Sequence, residues 1–62
     1  METIKDILMR RDGLSETEAN NRIDEARQHM YELLDSGETD EAYEICNEHF
    51  GLEPDYIQEL MG

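Results

Sequence analysis

From Gln28 to Gly62 the chain carries ten carboxylates and neither a lysine nor an arginine. All five cations, Lys5, Arg10, Arg11, Arg22 and Arg27, lie before that boundary beside seven carboxylates. Residues 1–27 therefore sit near −2 and residues 28–62 near −10. A compact domain with this much like charge destabilises itself by self-repulsion, while gaining solubility and a field that steers basic partners. The pattern constrains the kind of surface the fold presents before it says anything about a partner.

A chain of 62 residues makes one domain, spanning residues 1–62. At this size only about 60% of the unfolded chain's surface is buried, so stability is marginal without a staple. Cys46 is the only cysteine, which rules out a disulfide within the monomer and fits a reducing, intracellular setting. The longest purely apolar stretch is Ile7-Leu8-Met9. Spanning a bilayer takes about 20 apolar residues in a row, far more than this. The opening Met-Glu-Thr-Ile-Lys-Asp lacks the basic and apolar regions of a signal peptide. A soluble cytoplasmic protein is expected. An apolar fraction of 37% with a net charge of −12 raises the question of disorder. Periodicity and capping signals argue against it.

Four helical segments are predicted. Thr3 caps the first, with Ile4, Ile7 and Leu8 marking its apolar face and Gly13 stopping it in a left-handed conformation. Arg10 and Arg11 stand at its negative dipole end. Ser15 and Glu18 form a capping box, flanked by Leu14 and Ala19 at the hydrophobic-staple positions. The long helix that follows carries Ala19, Ile23, Ala26, Met30 and Leu33 along one stripe, widened by Leu34, and a Glu18–Arg22 ion pair is expected at i,i+4. After the Ser36-Gly37 turn, Thr39 is placed to cap a third helix with Ala42, Ile45, Cys46, His49 and Phe50 inward. Gly51 ends it, with Leu52 folding back as in a Schellman closure. Pro54 fits the first turn of a short final helix bearing Ile57, Leu60 and Met61. No segment alternates with period two. The expected fold class is all-α, a small bundle of three to four helices around a long central one.

Catalytic, metal and nucleic-acid readings find little to build on. Cys46 and His49 are three apart on a helix, with His29 elsewhere, whereas structural zinc sites want four ligands in closely spaced pairs. A buried Cys46 acting as a small hydrophobe, with His49 at a helix C-terminus, is the simpler reading. The segment from Asp35 to Cys46 fails the calcium-loop pattern at its third, sixth and twelfth places, which are Gly37, Asp40 and Cys46. No cofactor or metal is expected. General acid–base chemistry needs a carboxylate held in a partly desolvated cleft, and four short helices cannot wall one off. Nor do five cations facing seventeen acids leave the basic patch that direct nucleic-acid binding requires.

The acidic half is the candidate site. Glu41, Glu44 and Glu48 fall at i, i+3 and i+7 along the outward side of the third helix, with no cation offsetting them. Asp35, Glu48 and Glu59 occupy last turns of the predicted helices, where the dipole disfavours them. A solubilising surface of a small domain needs a net charge of only about 2–8 in magnitude, and this chain exceeds it at −12. Glu41, Glu44 and Glu48 are taken as the central charges of a partner-binding face, flanked by Asp35, Glu38 and Asp40. Tyr43 is the expected aromatic anchor.

Arg11-Asp12-Gly13-Leu14-Ser15-Glu16-Thr17-Glu18-Ala19, Ile23-Asp24-Glu25-Ala26-Arg27 and Phe50-Gly51-Leu52-Glu53-Pro54-Asp55-Tyr56 together resemble a group of small acidic proteins encoded by bacteriophages and prophages. The resemblance covers about a third of the chain and chiefly helix boundaries. It implies a host-cytoplasm setting and a non-enzymatic role, in a group that includes inhibitors of host nucleases mimicking the charge of DNA. It carries over no functional residue. The expectation is an acidic interaction protein that binds a basic, often nucleic-acid-binding, surface of a host protein. The alternative is a small homodimer or accessory subunit whose acidity serves only solubility. Met9, Tyr31, Tyr43 and Met61 would then supply the spare apolar surface. A further expectation concerns acid: carboxylates crowded by folding bind protons more readily than in the expanded chain, so stability should rise from pH 7 towards about pH 5.

Overall fold

Two capping boxes set the start of the fold. In the computed structural model, which describes residues 2–61, the Thr3 hydroxyl accepts the Asp6 N–H at 3.2 Å and Asp6 accepts the Thr3 N–H at 3.5 Å. This pair opens α1 (Ile4–Arg11), which closes at Gly13 with φ +67°. The predicted Ser15–Glu18 box opens α2 (Glu16–Asp35), its two reciprocal bonds measuring 3.1 and 3.2 Å. Because the Glu18 carboxylate is held by the Ser15 N–H, the expected Glu18–Arg22 ion pair does not form. Arg22 instead reaches the His49 carbonyl at 3.4 Å.

A Schellman closure also forms at the end of α2. There the Glu38 N–H bonds to the Leu33 carbonyl at 2.8 Å and the Gly37 N–H to that of Leu34 at 3.2 Å. These are the two bonds that define the motif. That closure reaches Glu38 itself, so the next helix starts one residue earlier than a Thr39 cap requires. Glu38 takes the N-cap position without a side-chain hydrogen bond, and Thr39 is the first helical residue. At Gly51, with φ +68°, Leu52 folds back as expected, its N–H bonding to the Cys46 carbonyl and the Gly51 N–H to that of Asn47, a wider closure than the one after α2.

The third helix is not continuous. It divides at Glu44 into α3 (Thr39–Tyr43) and α4 (Ile45–Phe50), and the Glu44 N–H turns back tightly onto the Glu41 carbonyl. Glu44 is the shared member of three like-charge pairs, with Asp40 and Glu48 at i±4 and Glu41 at i−3. The break falls at the residue with the most like-charge neighbours at helical spacing. A 3₁₀ turn at Pro54–Tyr56 then leads into α5 (Ile57–Met61). The described residues thus form five α-helices and one 3₁₀ turn, with no strand, rather than three to four helices. The all-α class and the long central helix hold.

The core lies along α2. Ile4 and Leu8 of α1 meet Ala19, Ala26, Met30 and Leu33 of α2, and Ala42, Ile45, Cys46 and Phe50 close over the other side with Ile57 and Leu60. Phe50 is the largest fully buried side chain. The accessible surface is 4139 Å². A folded chain of this mass is expected to expose about 4200 Å². The fold is as closed as an ordinary small domain despite its charge.

The position of the cations accounts for part of the charge boundary. Arg11 donates to the Phe50 carbonyl at 2.7 Å and Arg22 to that of His49, both at the C-terminal end of α4. Arg27 donates to the Leu60 carbonyl at 3.0 Å near the end of α5. These arginines from the N-terminal half satisfy open carbonyls at the negative dipole ends of helices in the acidic half. Arg11 serves α4 as well as standing in the last turn of its own helix. Lys5 and Arg10 pair with Glu16 and Glu2, each at 2.7 Å.

Candidate functional site

The carboxylates nominated from the sequence divide into neighbouring groups. Asp40, Glu41, Glu44 and Glu48, from α3 and α4, line one open depression, and Glu38 joins Asp40 and Glu41 in the adjoining one. The bend at Glu44 does not separate the stripe, since residues on both sides share the depression. All of these side chains are exposed. Among the described residues, every salt bridge lies within residues 2–27, the last being Arg27–Asp24 at 3.3 Å. The acidic half is thus held to the rest by arginine-to-carbonyl bonds that leave its carboxylates without cations.

Two of the last-turn acids acquire structural explanations. Glu59 is half-buried and accepts the Ile4 N–H at 3.1 Å, so it satisfies an open amide at the start of α1. It ties the two ends of the chain together across 55 positions. Glu48 falls in the first turn of α4 once the helix divides, where the dipole favours it. Asp35 remains in the last turn of α2 without a cation, in a separate depression with Tyr31, Glu32 and Leu34.

Tyr43 is not on the acidic depression. It lines a small apolar recess with Met30, Leu34, Ala42, Ile57 and Met61. At roughly 100° per residue Tyr43 lies about 60° from Asp40 on the side away from Glu44 and Glu41, so it stands at the edge of the acidic stripe and turns towards Met30, Leu34, Ile57 and Met61. The four nominated spare apolar residues, Met9, Tyr31, Tyr43 and Met61, are all exposed. Three of them gather: Leu34 borders both the Tyr43–Met61 recess and the Tyr31 depression, and the Tyr31 hydroxyl donates to the Met61 carbonyl at 3.4 Å.

A contact absent from the sequence expectations joins the two histidines. His29 Nδ1 lies 3.1 Å from His49 Nε2, with the rings edge to face at 5.3 Å between centroids. One ring donates and the other accepts, so at least one is neutral. Their spacing of 20 residues, from α2 to α4, carries no local signal. Cys46 does not complete a ligand set: it is fully buried, and that burial, with the charge of Glu59 behind it, pushes its thiol above the ordinary range. Among the described residues no three His, Cys, Asp or Glu side chains are grouped to hold a metal ion. A mixed-charge recess between α1, α2 and α5 is already satisfied internally, with Lys5 on Glu16, Arg27 on Asp24 and Glu59 on the Ile4 amide.

Three carboxylates of the N-terminal half are held below their ordinary range. Asp12 is lowered by its hydrogen bond from Arg11, Glu16 by that from Lys5, and Glu18 by the Ser15 backbone and side-chain bonds. Each contributes stability that is fully present above its unfolded value of about pH 4 and lost as pH falls through the lowered folded value. None of the three acts between pH 7 and 5. In that interval uptake of protons by a fold of net charge −12 relieves self-repulsion. At low ionic strength the melting midpoint is therefore expected to rise from pH 7 to about pH 5 as self-repulsion is relieved, and to fall steeply below about pH 4 as Asp12, Glu16 and Glu18 are protonated. Thermal melts across that range check it. A midpoint that declines steadily from pH 7 would mean that the acidic face is compensated within the fold.

The class defined by these features is an all-α domain with one long helix and an acidic, cation-free face beside an exposed aromatic strip. No helix among the described residues is long and apolar enough to cross a membrane. In comparisons with protein-family models, curated proteins and solved structures, nothing matches this chain.

Proposed function

We propose that this chain is a non-enzymatic, phage-encoded interaction protein acting in the host cytoplasm. Its acidic face docks on a basic surface of a host protein, one that ordinarily receives nucleic acid, and so acts as a charge mimic or inhibitor. The observation that supports this reading most directly is the depression of Asp40, Glu41, Glu44 and Glu48, with no ion pair to any of them among the described residues. Unpaired carboxylates on short helices destabilise the fold that carries them, and a basic partner supplies the missing cations. Association steered by such a face is fast and strongly salt-dependent.

The test is capture from bacterial lysate on the immobilised chain at low salt, followed by a salt gradient. Raising salt from about 50 to about 500 mM shortens the screening length roughly threefold. The expected result is a small set of basic proteins released along that gradient and displaced by added duplex DNA. A retained set that is indifferent to both salt and DNA would overturn charge mimicry.

The second reading, a homodimer or accessory subunit with passive surface charge, draws on a different observation: Tyr31, Tyr43 and Met61 stand together and about half exposed, at 49, 50 and 51%. Sedimentation at micromolar concentration separates the two. A tight dimer supports the second reading, and a monomer removes its homodimeric form.

A further inference from the structure

The exposed aromatic strip and the carboxylates around it form one surface. Tyr31, Leu34, Tyr43 and Met61 run continuously across α2, α3 and α5, with Leu34 common to both of their depressions. Its two ends meet, the Tyr31 hydroxyl reaching the Met61 carbonyl at 3.4 Å. Glu32 and Asp35 share the Tyr31 depression, and Glu44 follows Tyr43 on the edge of the acidic one. The nearest cation along α2, Arg27, is one turn before Tyr31 and is engaged by Asp24 and the Leu60 carbonyl. Among the described residues an apolar centre with an acidic rim and no free cation is thus presented to solvent.

We infer that this strip is the anchoring centre of the docking face, and that its occupant is a basic amphipathic segment of another protein: apolar side chains on the strip, flanking Lys or Arg on the rim. The inference rests on the proposed binding of a basic partner and adds what that partner must carry besides charge. Charge complementarity selects this occupant. A second copy would bring the same acidic rim against itself, because a two-fold interface is self-complementary and neither rim holds a cation to pair. Nucleic acid is excluded by phosphate repulsion from the rim. Interfaces of this kind concentrate their affinity in a few buried aromatic and apolar anchors, while rim charges set rate and salt dependence. Tyr43 and Met61 are therefore the anchors, and Glu41, Glu44 and Glu48 the steering charges.

Three synthetic peptides free of tyrosine test this: an amphipathic leucine–lysine helix, a lysine–serine peptide of the same charge, and a leucine–glutamate helix. Binding is followed by titration calorimetry and by the chain's tyrosine fluorescence. The leucine–lysine peptide is expected to bind at least ~10-fold more tightly than lysine–serine, and Tyr43→Ser and Met61→Ser each to weaken it by at least ~5-fold without changing the salt slope. Neutralising Glu41, Glu44 and Glu48 to Gln is expected to flatten the salt slope for both basic peptides alike. Met61 lies at the end of α5 and half in solvent, so its variant keeps the test sound if Tyr43→Ser perturbs folding.

Equal binding of the two basic peptides, with both strip variants silent, would overturn the anchoring role and leave the charge reading standing. Basic peptides that bind no better than leucine–glutamate would bring down the charge reading as well. A dimer in sedimentation that Tyr43→Ser or Met61→Ser dissolves would assign the strip to a second copy and overturn the proposal in that direction.

Discussion

Phe50→Ala is expected to unfold most of the protein at room temperature. Phe50 is 2% exposed and the largest side chain in the core, closing α4 over the α1–α2 pair. Truncating a buried Phe costs about 3–5 kcal/mol, from lost transfer energy and from the cavity that remains. A small domain of this length has a total stability of only about 3–9 kcal/mol at ordinary per-residue values, and uncompensated charge places this one towards the lower end. The Arg11 bond to residue 50 goes to its backbone carbonyl and survives the substitution, so the loss reports the side chain alone. Phe50→Leu keeps most of the volume and should cost less than about 1.5 kcal/mol, with a cooperative transition. Helical circular dichroism and urea midpoints distinguish the two. A Phe50→Ala stability within about 1 kcal/mol of the parent would mean the aromatic ring is not what holds the core together.

What is legible in the sequence is local in origin. Ser15 and Glu18 specify a helix start within a single turn, and the helical periodicity of Ala19, Ala26, Met30 and Leu33 specifies which face of α2 is buried. The end of the long helix at Gly37 and the three-part acidic stripe are equally readable, because spacing on a helix fixes which residues share a side. What escapes is tertiary. Nothing near Glu59 announces that it receives the Ile4 amide from the other end of the chain, and nothing near Arg11 shows that its guanidinium serves the end of α4. The His29–His49 contact arises only when α4 lies on α2. Sequence neighbours place Tyr43 with the acidic face, whereas the packing of α5 decides that it borders Met61. The break at Glu44 lies between these cases: its like-charge neighbours are visible in the sequence, but whether they interrupt a helix depends on how firmly the core holds it.

Glu44→Lys is expected to stabilise the fold and, on the proposed function, to weaken association with basic proteins. Glu44 has Asp40, Glu41 and Glu48 at helical spacing, so reversing its sign turns three repulsions into attractions. Each such pair is worth about 0.2–0.5 kcal/mol. Glu44 stands at the end of α3 and the start of α4, so the dipoles of two short helices act on it in opposite senses and the pair energies decide. The net gain is about 1–3 kcal/mol at low ionic strength, at roughly 4–8 °C of melting temperature per kcal/mol for a domain of this size. Glu44→Gln, which removes repulsion without adding attraction, should give about half as much. Helical signal should also increase as α3 and α4 join across residue 44. The two readings of the acidic half then separate cleanly. If Glu44→Lys raises the melting temperature and abolishes salt-dependent association with basic proteins, the carboxylate is kept for a partner at the fold's expense. If it raises the melting temperature and leaves association unchanged, the charge serves solubility alone. A variant that gains no stability would show that Asp40, Glu41 and Glu48 do not repel Glu44 across the depression they share, and the break in the helix would need another cause.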